Sequence, residues 1–327
     1  MQQVPPTLDE IQAYFRNNKG LSFGEANISL VGGVNHLTFR ADDGGCSYAL
    51  RTLNPNYRSY EWLTMEQEFE LLRWLRDTEL APYPRYLCKG FRQPILVQDW
   101  VEATCLKAIK PLREEHLVGV ARAIAKLNLH RMYDDKPEFI PKVRVSFWMD
   151  AWRWRRRLCS AWLRRPYPDV FKWVEKIWGL VQPVRNRLAQ YDNLFKWSGP
   201  YYFHFDGAHI GNTYWQEPGK VVFLDWQKVS LRNDPTFTLV RFMTSAGEEP
   251  GVVSEKMFNT LVEAYLSVNK VRDFYQIARV RLLERLMSDL VWVLWDYTRS
   301  SKSSRLAEAV PSLQGRYDEM RRILGSR

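Results

Sequence analysis

The sequence predicts an α+β fold in two lobes, a β-rich one over residues 1–100 and a mainly helical one over 101–327. Three observations carry this expectation. Short runs rich in β-branched and aromatic residues, punctuated by Gly and Pro, crowd the first hundred residues. Segments with apolar residues at helical spacing, 118–130, 148–165 and 281–297, dominate the rest. Between those helical segments, at 204–225, stands one strand pair with a turn. At 327 residues the chain is long enough for a full core, and it shows no internal repeat or low-complexity segment.

In the first lobe, Ile28 to Arg40 has strand composition broken at Gly32-Gly33, and Ser47 to Leu53 follows the Asp43-Gly44-Gly45 turn. A glycine-bearing hairpin lets backbone N–H groups approach an anion closely, although Gly-Gly between strands is also an ordinary turn. Met65 to Arg76 has the spacing of a helix with one buried stripe through Met65, Phe69, Leu72 and Leu75. Glu68 lies within it, where the plain expectation is an exposed carboxylate paired with a nearby Arg. Leu80 to Leu87, marked by Pro82 and Pro84, enters the next strand, and Pro94 to Glu102 reads as the strand leading out of the lobe through Asp99, Trp100 and Val101.

In the second lobe, Val118 to His130 reads as an apolar helix. In Trp148 to Arg165, a helical wheel places Trp148, Ala151, Trp154, Leu158, Ala161 and Trp162 on one face, with Arg153, Arg156, Arg157 and Arg164 opposite. The ordinary reading is a solvated basic face on a helix packed through its tryptophans; the sharper one is an anion-attracting wall. On the last long helix, Arg281 to Tyr297, Leu286, Leu290, Val293 and Leu294 form a core stripe. Arg285, Asp289, Trp292 and Asp296 form a second stripe. It reads either as a surface ion pair or as a wall where Trp292 and the carboxylates meet a cation.

The net charge of +10 gives no global hint of an acidic pocket for polycations. Cysteines at 46, 88, 105 and 159 show no C-x-x-C spacing, and the N-terminus lacks a charged-then-apolar signal. Both point to a reducing cytoplasm and away from a zinc site. No apolar run approaches the length of a membrane span.

The chemistry concentrates in His204-Phe205-Asp206, then Asn212, then the apolar run Val221 to Leu224 ending in Asp225, with Pro218-Gly219 as a turn between. Two carboxylates and an amide at the ends of a strand pair suit phosphoryl transfer with magnesium. Asp206 can receive the proton of an attacking hydroxyl, and Asn212 and Asp225 offer the hard oxygen ligands that Mg²⁺ prefers.

These segments resemble the aminoglycoside phosphotransferase and choline kinase superfamily, small-molecule relatives of the protein kinases. There the pattern is H-x-D, four residues, N, then an apolar strand ending in Asp. The resemblance covers roughly 28–245, with weaker support to 298. It implies a bilobal protein-kinase-like fold and ATP with Mg²⁺ as cofactors. Asp206 would be the catalytic residue and Asn212 and Asp225 the metal ligands. Gly32, Gly33 and Asn35 match the family's G-G-x-x-N nucleotide loop, Arg51 the phosphate-bracing basic residue, and Glu68 the helix carboxylate that orients it. Asp99, Trp100 and Val101 fall at the hinge whose backbone reads the adenine edge. The segment around 145–200 matches the helical insert that shapes the acceptor pocket, and 288–295 resembles a W-x-L-W segment of choline kinases.

Two departures stand out. Five residues, Gly207 to Gly211, separate Asp206 from Asn212, and Gly207 and Gly211 could absorb the extra one because glycine accepts backbone angles other residues cannot. Downstream, Asn233-Asp234-Pro235 matches the family's D-P step, but Thr238 replaces the carboxylate that follows. The implied function is transfer of the ATP γ-phosphate to a hydroxyl of a metabolite, amino alcohol or antibiotic. The alternative is a non-catalytic nucleotide- or ligand-binding protein on the same fold. Nucleic acid is not expected as a partner, since the tryptophans of 148–165 are read as facing the core.

Overall fold

The structure, a computed structural model, describes residues 6–17, 27–32, 36–43, 45–54, 63–91, 93–129, 136–144, 147–164, 168–195, 200–247, 251–299 and 305–325. Two compact units emerge. The first comprises Met1–Thr104, Tyr133–Ile140 and Tyr214–Val229; the second comprises Cys105–Met132, Pro141–Thr213 and Ser230–Arg327. Asp225 therefore belongs to the same unit as Arg51 and Glu68, while Asp206 and Asn212 belong to the other.

The first unit begins with helix α1 (Leu8–Asn17), followed by strands β1 (Asn27–Gly32), β2 (His36–Asp42) and β3 (Ser47–Leu53), helix α2 (Met65–Leu75), and strands β4 (Pro84–Cys88) and β5 (Ile95–Asp99). The strands form one antiparallel sheet in the order β1-β2-β3-β5-β4. Gly32 ends β1 at φ 122°, in the left-handed region that glycine tolerates, where the β1–β2 register also shifts. Ile11 and Phe15 of α1 bury against Ile28, Phe39, Leu50, Ile95 and Val97 on one sheet face. Each such side chain contributes roughly 1.5–3 kcal/mol by leaving water.

Helix α2 starts in a reciprocal capping box between Thr64 and Gln67. Its buried stripe runs through Met65, Leu72 and Leu75 as the spacing predicts, but Phe69 is only half-buried and Glu68 is fully buried among the apolar residues. The alternative of an exposed, surface-paired Glu68 thus does not hold.

A two-residue strand, β6 (Thr104–Cys105), precedes helix α3 (Glu114–Leu129). Then come strand β7 (Lys142–Val143), helices α4 (Phe147–Arg164), α5 (Pro168–Ala189) and α6 (Asp192–Phe195), and strand β8 (Tyr202–Phe205). Strands β9 (Thr213–Gln216) and β10 (Lys220–Phe223) form the expected hairpin, with Gly219 at φ 99° in its turn. Strand β11 (Val229–Arg232) pairs between β7 and β8. Helices α7 (Phe237–Ala246), α8 (Glu255–Leu266), α9 (Phe274–Arg299) and α10 (Arg305–Gly325) complete the chain. The fold is α+β, with a β-rich first unit and a second built mainly of helices.

In the second unit α9 is the central helix, packed by α4, α5, α7 and α10. Leu286, Leu290 and Leu294 bury as the core stripe, while Val293 is half-buried. Asp234 anchors α9: one of its oxygens accepts from the backbone N–H and hydroxyl of Thr236, the other from Arg281 Nε at 2.6 Å. Arg281 also donates to Glu284 at 2.8 Å. His130 lies outside the described residues.

The α4 pattern needs correction. Ala151, Trp154, Leu158 and Ala161 bury, and Trp154 Nε1 donates to Ser288 Oγ of α9 at 2.9 Å. Trp162, however, is 45% exposed, because it lies at the edge of that stripe where a bulky ring outreaches the packed seam. Trp152, on the arginine side, is 50% exposed beneath the Arg156 guanidinium at 5.4 Å. The basic face is not merely solvated either: Arg157 lies over the Trp292 and Trp295 rings at 5.3 and 5.5 Å.

Candidate active site

In the first unit, Arg51 of β3 is the hub of a buried polar cluster. Its Nη1 donates to Glu68, its Nη2 donates to His36 Nδ1 at 2.8 Å, and Nη2 also reaches Asp225 Oδ1 at 3.3 Å. Burial disfavours the charge on Arg51, but Glu68 and then Asp225 outweigh it and raise the pKa of the guanidinium. The Gln227 side-chain amide also lies at hydrogen-bond distance of His36 Nδ1, whose single lone pair it shares with Arg51. Burial first, and Arg51 second, push the His36 pKa down to about 2, so the imidazole is neutral and its Nδ1 is free to accept. His36 and Gln227 are participants that the sequence pattern does not single out. The only signals are their adjacency to the Gly-Gly loop and to Asp225.

Much of the Arg51 fork is therefore engaged by protein groups. Asp225 follows β10 at φ 67°, a left-handed conformation that Asp adopts more readily than bulkier residues, and its side chain is 29% exposed. That geometry turns the carboxylate out of the strand and gives a buried network one oxygen while the group keeps access to solvent.

Gly32 is placed at the end of β1; Gly33 and Asn35 lie outside the described residues. At the proposed hinge, the backbone N–H of Asp99 donates to Tyr83 O and that of Trp100 to Ser47 O, each at 2.9 Å. Both amides serve the sheet. Among the described residues, the Val101 amide is the one of the three not taken by a backbone carbonyl. The Asp99 carboxylate accepts from Arg85 at 2.6 and 3.0 Å, and Arg40 lies over the Trp100 ring at 4.9 Å.

In the second unit, Asp206 sits immediately after β8, buried. Its Oδ1 accepts from Ser230 Oγ at 2.7 Å and its Oδ2 from Arg232 Nη2 at 3.0 Å. Arg232 Nε in turn donates to Ser230 Oγ at 2.9 Å, and the guanidinium stacks on the Phe237 ring at 3.7 Å. Ser230 and Arg232 are absent from the sequence-derived site. They come from β11, and only the β8–β11 pairing brings them to Asp206. Each carboxylate oxygen has two lone pairs, so a further donor still finds an acceptor.

The Asp206–Asn212 loop solves its extra residue differently from the expectation. Neither Gly207 nor Gly211 adopts positive φ. The residue is absorbed by hydrogen-bonded turns, with Ala208 N donating to Phe205 O at 3.2 Å and Asn212 N to His209 O at 2.9 Å. A Cβ at Gly211 would sit tightly, at 3.1 Å, against the His209 ring, whose Nδ1 accepts from the Gly211 backbone N–H at 3.1 Å. The Asn212 side-chain N–H donates to Gly207 O at 3.1 Å, which fixes the amide within the loop. Among the described residues no three His, Cys, Asp or Glu gather as a metal cluster.

His204 is fully buried, with Nδ1 hydrogen-bonded to Thr238 Oγ1 at 2.7 Å. The residue that replaces the expected carboxylate thus supports the motif histidine. Burial pushes the His204 pKa down to about 4. A histidine held below its unfolded value of 6.5 contributes stability that is complete above that value and lost as pH falls toward the folded one. Unfolding free energy from urea titrations is therefore expected to decline from about pH 6.5 toward pH 4, by on the order of 3 kcal/mol from His204. His204→Asn should remove that part of the slope; an unchanged slope in the variant would show that His204 is not the group titrating.

Comparison with known proteins identifies the family and the fold. A model of the phosphotransferase enzyme family matches residues 28–267. The chain belongs to the phosphotransferase enzyme family. No curated protein sequence matches it. Among solved structures, spectinomycin phosphotransferase in complex with ADP and spectinomycin is similar at TM-score 0.65 and 13% identity, covering 99% of both chains. Choline kinase from Cryptosporidium parvum is similar at TM-score 0.64 and 12% identity, covering 97% of this chain and 95% of that one. A choline/ethanolamine kinase family protein from Mesorhizobium loti is similar at TM-score 0.61 and 15% identity, with the same coverage. At these identities the likeness shows a shared fold, that of small-molecule kinases with a protein-kinase-like architecture. No helix among the described residues is long and apolar enough to cross a membrane.

Proposed function

We propose that this protein is an ATP-dependent kinase that transfers the γ-phosphate to a hydroxyl of a small molecule. The observation that carries the reading is the anchored carboxylate of Asp206, which stands in the family's motif order ahead of Asn212 and Asp225. The spectinomycin phosphotransferase, seen with ADP, supports nucleotide use.

In this mechanism Asp206 accepts the hydrogen bond of the acceptor hydroxyl, orients its oxygen for attack, and takes its proton as the new P–O bond forms and the γ-phosphorus bond to the bridging oxygen breaks, with ADP leaving. Ser230 and Arg232 hold the carboxylate in place for that contact. Asn212 and Asp225 would hold Mg²⁺, which when bound neutralises charge on the nucleotide phosphates. Arg51, oriented by Glu68, braces those phosphates through its remaining donors. Gly32, Gly33 and Asn35 match the family's nucleotide-loop pattern and would contact the phosphates, and the Val101 amide, beside Asp99 and Trp100, reads the adenine edge. The helical segment around 145–200 selects the acceptor. The four free thiols support a cytoplasmic setting.

A second reading, a binding protein whose Asp206 is masked, draws on the Arg232 ion pair at 3.0 Å. Acceptor-dependent ADP release from ATP, measured over a panel of hydroxylated small molecules, separates the two. Release that requires an acceptor supports the kinase. Nucleotide binding without release by any acceptor supports the masked site.

A further inference from the structure

The helical unit contains a cavity of about 330 Å³ beside the Asp206–Asn212 loop, lined among others by His209, Arg241, Ser245, Arg285, Asp289 and Arg316. His209 belongs to that loop, and the backbone N–H of Ile210 donates to Ser245 Oγ of α7 at 2.9 Å, tying the loop to the cavity wall. Three guanidinium groups, from α7, α9 and α10, face one carboxylate. Asp289 is already engaged: Arg285 Nε donates to its Oδ2 at 3.1 Å and Arg285 Nη2 contacts its Oδ1, while Arg316 Nη1 lies 3.6 Å from Oδ2. Arg241 has no carboxylate at ion-pair distance among the described residues, and its Nε is buried without a hydrogen-bond partner.

The electrostatics agree with the geometry. Burial, and next the like charge of Arg285, lower the Arg241 pKa to about 10. Burial likewise lowers that of Arg316. His209 is pushed down to about 4 by burial and then by Arg241, so it adds no charge at neutral pH. Desolvated, mutually repelling cations are costly unless a counter-charge arrives. Next to this cavity, beyond Trp292 and Trp295, lies a second one of about 330 Å³ lined by Arg153, Arg156, Arg157 and Arg164, so the positive surface continues. A cation would be repelled here. The wall of Asp289 and Trp292, which the sequence offered to a cation, has its carboxylate neutralised by two arginines.

We propose that the acceptor carries an oxyanion, a carboxylate or a phosphate ester, which Arg241, Arg285 and Arg316 bind in this cavity while its hydroxyl meets Asp206. This rests on the kinase reading for the hydroxyl's fate, but the anion site itself does not. It assigns to the chain an acceptor of opposite charge to choline.

The test is ligand-induced stabilisation of the full-length protein at constant ionic strength. The probes are glycerate and glycerol 3-phosphate against choline and ethanolamine, with Mg²⁺-ATP as a separate arm. At least one oxyanion is expected to raise the unfolding temperature of the wild type, and neither amine should. Arg241→Gln should weaken that oxyanion's apparent affinity about tenfold or more, because a charge-assisted contact is lost. If Arg241→Gln does not fold, Arg316→Gln gives the same reading. Glycerate and glycerol 3-phosphate distinguish the carboxylate from the phosphate ester. Stabilisation by choline or ethanolamine, no stabilisation by either oxyanion, or unaltered oxyanion affinity in the variant would overturn the proposal. Oxyanion binding with no response to Mg²⁺-ATP would leave the anion site standing and remove the kinase reading.

Discussion

Asp206→Asn is expected to leave the fold and nucleotide binding near wild type while lowering turnover by roughly 10²–10⁴-fold, the range for loss of a positioned base. The amide is isosteric, and it can offer its oxygen to Arg232 and its N–H to Ser230 Oγ. What it cannot do is take the hydroxyl proton. The stability cost should be modest, on the order of 1–3 kcal/mol for an unneutralised partner, since Arg232 keeps its stacking on Phe237. Asp225→Asn should behave differently, weakening Mg²⁺-nucleotide binding itself, because its role is at the metal. Turnover of Asp206→Asn close to wild type, or equal loss of nucleotide binding in both variants, would show that the two carboxylates have been assigned the wrong roles.

Arg51→Met should give the largest loss of stability. Glu68 is fully buried and its ion-pair partner is Arg51, while His36 and Asp225 receive hydrogen bonds from the same guanidinium. Removing one member of a buried ion pair costs about 3–5 kcal/mol, since the other is stranded without its counter-charge. The combined variant Arg51→Met/Glu68→Leu should recover much of that loss, because neither charge is then left in the interior. Nucleotide binding should stay impaired in both. Urea unfolding of the single and double variants measures the coupling. A double variant as unstable as the sum of the singles would mean that Arg51 and Glu68 do not depend on one another.

The fold was legible where local pattern and tertiary burial coincide. The Gly-punctuated strands from 27 to 53, the Pro218-Gly219 hairpin and the α9 core stripe all follow from alternation or helical spacing alone. Glu68 was legible as a carboxylate of α2 through the family pattern, but its burial was not. The partners of Asp206 were not. Ser230 and Arg232 reach it only through pairing of β8 with β11 across more than twenty residues of chain. The basic cavity was hidden for the same reason, since Arg241, Arg285 and Arg316 come from three helices and none is unusual in its own segment. Trp162 was misread because a wheel assigns a face by angle, whereas burial depends on what packs against that angle.

Stabilisation by ATP, measured as unfolding temperature with and without Mg²⁺, tests most directly whether this chain is a kinase. A ligand that binds the native state raises its stability by about 2.7 kcal/mol at a hundred times its dissociation constant. The expected result is a clear rise with ATP and Mg²⁺ together, a much smaller one with ATP alone, and loss of the difference in Asp225→Asn. No rise in either condition would contradict the assignment, leaving a phosphotransferase fold that does not use the nucleotide.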